Sequence, residues 1–301
     1  MRDDSLGPQT GKMRTFEEFF GRELIRATTS WDENRVMLYA LGVGAGLDDN
    51  QRELQFTTEN TPGSPLRVLP TFIAQLQRGF GWTELFGWGS DPGAIRAVHG
   101  EHAVTLAALL PTAGSVETVT VLDQVYDKGS GALVVTSTHL TDLATGTYLG
   151  SSRMSVFVQG KGGYGIKGPV PGQAAVTVPE REPDAVVRFP VGLNQSLIFR
   201  HMGDHTLHGS TIEGARRDGF ERPILFGLAT FGYAGRSMLR ALCEDDVARF
   251  GHMEGRFSKP VFPGDQLDIR IWRQDEGARF QVIAGGERVA FDRGLFRFAG
   301  A

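Results

Sequence analysis

The segment PILFGLATFGYAGRSMLRAL, residues 223–242, restricts the possible folds more than any other stretch of the chain. Its spacing predicts a helix opening on Pro223, a position where the missing N–H of proline costs nothing. The first two turns are apolar all round, and Gly227, Gly232 and Gly235 are set into the segment. A helix without a polar face has to be buried. Glycine lets another backbone come close, at a cost in helix stability that an isolated surface helix would not carry. The expectation is a central helix with the rest of the fold wrapped around it.

A second helical segment, PTFIAQLQRGFGW (70–82), also opens on a proline. Each helix is followed by β-like runs with the same punctuation. HGEHAVTLAALLPTAGSVETVTVLDQV (99–125) echoes HMEGRFSKPVFPGDQLDIRIWRQ (252–274), both passing through a Leu-Pro or Phe-Pro turn into another strand. Runs such as KGSGALVVTSTHL are rich in Val and Thr and bounded by glycine, which suits antiparallel strands. The pattern is an internal repeat of helix then strands. The proline- and glycine-rich stretch 163–187 reads as the connection between repeats. Boundaries follow at 1–165 for the first unit, 166–188 for a linker and 189–301 for the second.

Composition narrows the function classes. A formal charge of -4 argues against nucleic acid as the partner. No apolar run approaches the ~20 residues of a membrane helix. The polar, acidic N-terminal segment does not read as a secretory leader. The C-terminal FRFAGA lacks a Ser-Lys-Leu address, so a cytoplasmic protein is expected. The lone Cys243 has no partner for an intramolecular disulfide and reads as a small packed hydrophobe. His99 and His102 tempt a metal reading. Residues three apart in a regular strand point to opposite faces, however, and no carboxylate–His cluster accompanies them, so no metal is expected. GKGGYG (160–165) lacks the Lys-Ser/Thr of a phosphate loop and reads as a turn.

Taken in order, LYALGVGAGLDD (38–49), VLPTF (68–72), VHGEH (98–102), DKGSG (127–131), EREPDAVV (180–187), LNQSLIFRHMGD (193–204), GFERPILFGLATFGYAGRSML (219–239) and RFSKPVFPGDQL (256–267) span nearly the whole chain. This ordered set resembles the peroxisomal-type (R)-specific 2-enoyl-CoA hydratases, or hydratase 2, of the MaoC-like dehydratase superfamily. The resemblance implies an α+β double hot-dog fold, with two antiparallel sheets each wrapping a central helix. It also implies acyl-thioester hydration or dehydration on coenzyme A or an acyl-carrier protein. No cofactor beyond the coenzyme A of the substrate is expected, and the assembly expected is a homodimer.

In that family an Asp and a His in the pattern Gly-Asp-x-Asn-Pro-Leu-His-x-Asp perform acid–base catalysis. The N–H of the glycine in Pro-Ile-Leu-His-Gly holds the thioester oxygen. By resemblance Asp204 is the catalytic aspartate and Gly227 the substrate-binding oxyanion glycine. The remainder departs from the pattern. In ungapped register Thr206 stands at the Asn, Leu207 at the Pro and Gly209 at the catalytic His, while His208 comes one place early. Phe226 replaces the His before Gly227. Either the loop shortens so that His208 takes the catalytic place, or the register holds and that imidazole is absent. His208 is carried as the catalytic imidazole, with Thr206 and His205 as substrate contacts. Arg222, Arg236 and Lys259 are candidates for coenzyme A phosphates, and Phe72, Phe80 and Trp82 for the acyl tunnel. The rewritten motif keeps two other readings open: recruitment to a cyclisation or lyase step, and a non-catalytic thioester-binding subunit.

Overall fold

The computed structural model describes residues 20–77, 96–163, 166–167 and 177–300. In the first half, strands β1 (Glu23–Trp31), β2 (Ala97–Leu106), β3 (Gly114–Asp127), β4 (Gly131–Asp142) and β5 (Tyr148–Gln159) lie in the order β1-β3-β4-β5-β2. The short β6 (Ile166–Lys167) pairs parallel with β3. The second half contributes β7 (Ala185–Pro190), β8 (Phe250–Phe257), β9 (Gln266–Gln274), β10 (Gly277–Ala284) and β11 (Arg288–Phe298). Read from the far edge their order is β7-β9-β10-β11-β8, the same arrangement. The internal repeat is thus a repeat of topology, and β7 begins inside the stretch 166–188 read as a linker.

The two strands whose sequences echo each other are the ones that meet. β2 pairs antiparallel with β8, from Glu101 opposite Arg256 to Thr105 opposite His252. This junction fuses the two sheets into one eleven-stranded sheet. Alternation sets the faces: Leu267, Ile269 and Ile271 of β9 point into the core and are fully buried. No helix of the described residues is long and apolar enough to cross a membrane.

The expected central helix exists but runs Gly227–Leu242, starting four residues after Pro223. Pro223–Phe226 stays extended because its backbone has better partners: Ile224 N–H donates to His208 O (3.0 Å) and Leu225 N–H to Val261 O (2.8 Å). Gly232 and Gly235 are close-packed, but by side chains where another backbone was expected. A Cβ at Gly232 would stand 2.9 Å from Val43 Cβ, and one at Gly235 would stand 2.5 Å from Thr71 Cγ2. These two positions bring the helix of the second half against side chains of the first, Val43, Tyr39 and Thr71, and not against its backbone.

The segment at 70–82 differs. Pro70 does open it, but Pro70–Gln75 is a 3₁₀ turn closed by bonds such as Phe72 N–H to Leu69 O (2.9 Å), and residues 78–82 lie outside the described ones. Phe72, read as tunnel wall, is instead fully buried against Trp31 and Tyr39. Phe80 and Trp82 lie outside the described residues.

A buried ion cluster pins the halves together. Arg236 projects from the central helix onto the 38–49 motif and the residues just after it, where Nε donates to Glu53 Oε1 (3.0 Å), Nη1 to Val43 O (2.8 Å) and Nη2 to Glu53 Oε2. Arg240, one turn on, donates to Asp48 Oδ2 at 2.7 Å. Arg236 is 1% exposed and its guanidinium lies 4.2 Å over the Phe189 ring. It is therefore not a phosphate contact: every donor direction is spent inside the fold. Arg222 is exposed, with its guanidinium 4.4 Å over Phe262.

Candidate active site

The loop after helix Gln195–Arg200 carries the rewritten motif. Asp204 folds back on its own chain, with Oδ1 accepting Thr206 N–H (3.1 Å) and Thr206 Oγ1–H (2.7 Å). A short polar side chain closing on the backbone two residues ahead is the local reason this loop turns as it does. The same Thr206 hydroxyl lies 3.2 Å from His208 Nε2. Asp204 and His208 are therefore joined through one hydroxyl.

On its other side His208 Nδ1 meets Asp218 Oδ2 at 3.0 Å. Arg217, and then His208, hold the Asp218 carboxyl below its usual range, against the opposing pull of burial. Thr206 spends its only proton on Asp204 Oδ1, so the contact with His208 Nε2 is a hydrogen bond when Nε2–H donates to the Thr206 oxygen, while Nδ1–H faces Asp218. Asp218 was not singled out in the sequence. Its signal would have been a carboxylate ten residues past the histidine, after the one-turn helix Ile212–Arg217. His205 is exposed and makes no hydrogen bond among the described residues.

Gly227 is the first residue of the central helix, so its N–H has no partner within the helix and sits at the positive end of the dipole. A Cβ there would press on Phe257 Cε1 at 3.3 Å. The His208 ring lies 5.8 Å from that of Phe226, the residue just before Gly227. Loop and helix start thus face one another.

A sequence profile described as the MFE-2 hydratase 2 N-terminal domain matches residues 30–160, and one described as the MaoC like domain matches residues 174–292. The chain belongs to the MaoC-like dehydratase superfamily, in its hydratase 2 branch. It is 37% identical over 278 residues to the 3-hydroxyacyl-thioester dehydratase Y of Mycobacterium tuberculosis, covering 89% of this chain and 93% of that protein. It is 30% identical over 281 residues to the peroxisomal enoyl-CoA hydratase 2 of Arabidopsis thaliana, covering 86% and 89%. The crystal structure of a MaoC-like dehydratase from Phytophthora capsici superposes with a TM-score of 0.82 at 26% identity, over 96% of this chain and all of that one. The double hot-dog architecture expected from the motifs is the one the strand order displays.

The departures from the hydratase 2 motif are coupled in space. Gly209 is buried, and a Cβ there would fall within the Phe226 ring, 2.7 Å from Cε2. Phe226 itself is buried beside Phe199. The ring at 226 thus fills the room that a side chain at 209 would need. Introducing the family histidine alone, Gly209→His, is expected to destabilise the fold by about 1–3 kcal/mol through overpacking. Phe226→His made alongside it should recover part of that loss. Thermal unfolding of the two single variants and the double variant measures the coupling, and a Gly209→His protein as stable as the parent would contradict it.

Proposed function

We propose that Asp204 and His208, joined through the Thr206 hydroxyl, carry the acid–base work of a MaoC-type hydratase/dehydratase, with the Gly227 N–H holding the thioester oxygen. The chain is a hydro-lyase of this superfamily acting on 2-enoyl/3-hydroxyacyl thioesters of coenzyme A. In hydration, Asp204 accepts a proton from water as the water oxygen bonds to C3. The electron pair of the C2–C3 double bond moves toward the thioester carbonyl, and C2 takes a proton back, so that one water is added overall. The Thr206 hydroxyl offers a path for the proton between Asp204 and His208 Nε2, and Asp218 orients the ring through Nδ1. An N–H aimed at the developing oxyanion is the largest single stabilisation such a site commonly supplies. Proton transfers between side chains need no resident cofactor.

The observation that carries this reading is the single hydroxyl bonded to both Asp204 and His208, in a loop facing the Gly227 helix start. The test is the loss of enoyl absorbance from crotonyl-CoA and longer trans-2-enoyl-CoA thioesters, with carrier-protein thioesters as a parallel arm. Absence of turnover from folded protein on every chain length and carrier would sink it. Under that outcome, the exchange of side chains at 209 and 226 would mark a scaffold turned to another reaction or to thioester binding alone. A cytoplasmic, reducing setting agrees with the buried, unpaired Cys243. A homodimer is the working assembly, and light scattering reads it directly.

A further inference from the structure

Phe257 closes β8 and stands at the start of the central helix, outside the acid–base scheme. A Cβ on Gly227 would lie 3.3 Å from its Cε1 and 3.5 Å from both Cδ1 and Cζ, so one whole edge of the ring borders the oxyanion glycine. Both residues are half-buried. A thioester whose oxygen is held by the Gly227 N–H therefore lies beside this ring. The C2–C3 double bond is one bond from that carbonyl, so the ring meets the conjugated part of the acyl group and not its tail.

Two other rings brace Phe257. Phe291, its register partner on β11, meets it edge-on with centroids 5.0 Å apart. From the first half, the half-buried His99 lies 4.7 Å away, centroid to centroid. In an unbroken strand His99 and His102 would face opposite ways, but β2 carries a bulge between His99 and Glu101. A bulge adds one residue and re-aims the side chains beside it, and here the two imidazoles share one side, 5.2 Å apart. His102 is buried edge-on against Phe231 of the central helix and is held well below its usual range by burial, then by His99, so it is neutral near pH 7. Ser152 Oγ spends its proton on Gln77 Oε1 (3.3 Å), so His102 Nε2–H donates to Ser152 Oγ (3.2 Å). His102 Nδ1 is then bare and accepts from His99 Nε2–H at 3.2 Å. This satisfied chain survives burial and fixes the His99 ring by one edge.

We propose that Phe257, braced by Phe291 and His99, is a specificity-determining residue of the thioester site, and that it selects acyl groups whose 2-enoyl double bond is conjugated onward, as in 2,4-dienoyl or arylpropenoyl thioesters. The proposal rests on the hydratase reading and on Gly227 as the hold for the thioester. A braced aromatic ring offers an extended π system an offset or edge-to-face contact in addition to burial, whereas a saturated tail gains burial alone. 2,4-Hexadienoyl-CoA and trans-2-hexenoyl-CoA share one carbon skeleton and differ in that conjugation. Phe257→Leu is expected to lower the ratio of their kcat/KM values by about 3- to 10-fold, and Phe257→Tyr, which keeps the ring, by less than about 2-fold. His99→Leu leaves Phe257 in place without its brace and should lower the same ratio by a smaller factor.

A ratio of two substrates on one protein cancels the fraction of enzyme correctly folded, so general damage to the fold does not move it. A Phe257→Leu ratio within about 2-fold of the parent overturns the proposal. An unchanged ratio in His99→Leu removes His99 from it. A parent silent on both thioesters would sink the hydratase reading, and calorimetric titration with the same two compounds would still decide the role of Phe257. The parent should then bind the dienoyl thioester more tightly, and the two Kd values should converge in Phe257→Leu. Equal Kd values in the parent would overturn the assignment.

Discussion

Asp204→Asn is expected to lower kcat on a 2-enoyl-CoA substrate by about 100- to 10,000-fold, the range over which a positioned general base contributes. Asparagine retains an oxygen for the Thr206 N–H and hydroxyl, so the loop should keep its turn and the protein its melting temperature. What is removed is the capacity to accept a proton from water. KM should therefore change little, because the proposed hold on the thioester is at the Gly227 N–H and not at Asp204. Steady-state kinetics beside a thermal melt separates the two effects. If activity stays within about 10-fold of the parent, the base is another group and the assignment of Asp204 fails. Thr206→Val extends the test: it removes the hydroxyl that links Asp204 to His208 and should give a smaller loss than Asp204→Asn.

The second large effect concerns stability. Glu53→Ala leaves the Arg236 guanidinium buried, with Val43 O as its remaining close acceptor and Asp48 Oδ1 at 3.5 Å. Removing one partner of a buried pair costs about 3–5 kcal/mol, because the remaining charge is stranded away from water. For a chain of this size that corresponds to a fall in Tm of roughly 10 °C. The double variant Glu53→Leu with Arg236→Met removes both charges and should be much less damaging than Glu53→Ala alone. Chemical denaturation of the three proteins reads the difference. Equal losses in the single and double variants would show that packing, not stranded charge, dominates here. The cluster also explains the motif 38–49. Gly44, with φ +78°, lies where a side chain would strike the Tyr233 ring, and Val43 and Asp48 meet Arg236 and Arg240. That signature marks the docking of one half on the other.

Several other signatures prove to be turn chemistry. Asp127 of DKGSG accepts the N–H groups of Gly129 (2.9 Å) and Gly163 (3.1 Å), which lower its carboxyl below the usual range. Asp184 of EREPDAVV is held down to about 2 by Arg181 and then by the Arg273 N–H. Resemblance alone does not separate such residues from those at the site. The tertiary structure separates them by where each carboxylate's bonds end.

The sequence by itself determined the architecture, because its determinants are local. Alternating apolar residues select strand faces, and glycines at 232 and 235 in an apolar helix require a close neighbour. A repeated order of elements requires a repeated order of strands. Asp204 and Gly227 are proposed from the resemblance, each lying within an ungapped stretch of motif. The tertiary structure decided what depends on distant partners. Gly209 became intelligible only with Phe226, seventeen residues on, because the missing side chain and the added ring share one volume. His99 and His102 were placed on opposite faces by the period of a regular strand, and the bulge beside Gly100 put them on the same one. The central helix started at Gly227 because Ile224 and Leu225 found acceptors at His208 and Val261. The helix Gly227–Leu242 meets the first half at Gly232, Gly235 and Arg236, and that juxtaposition is not encoded in any single segment of the chain.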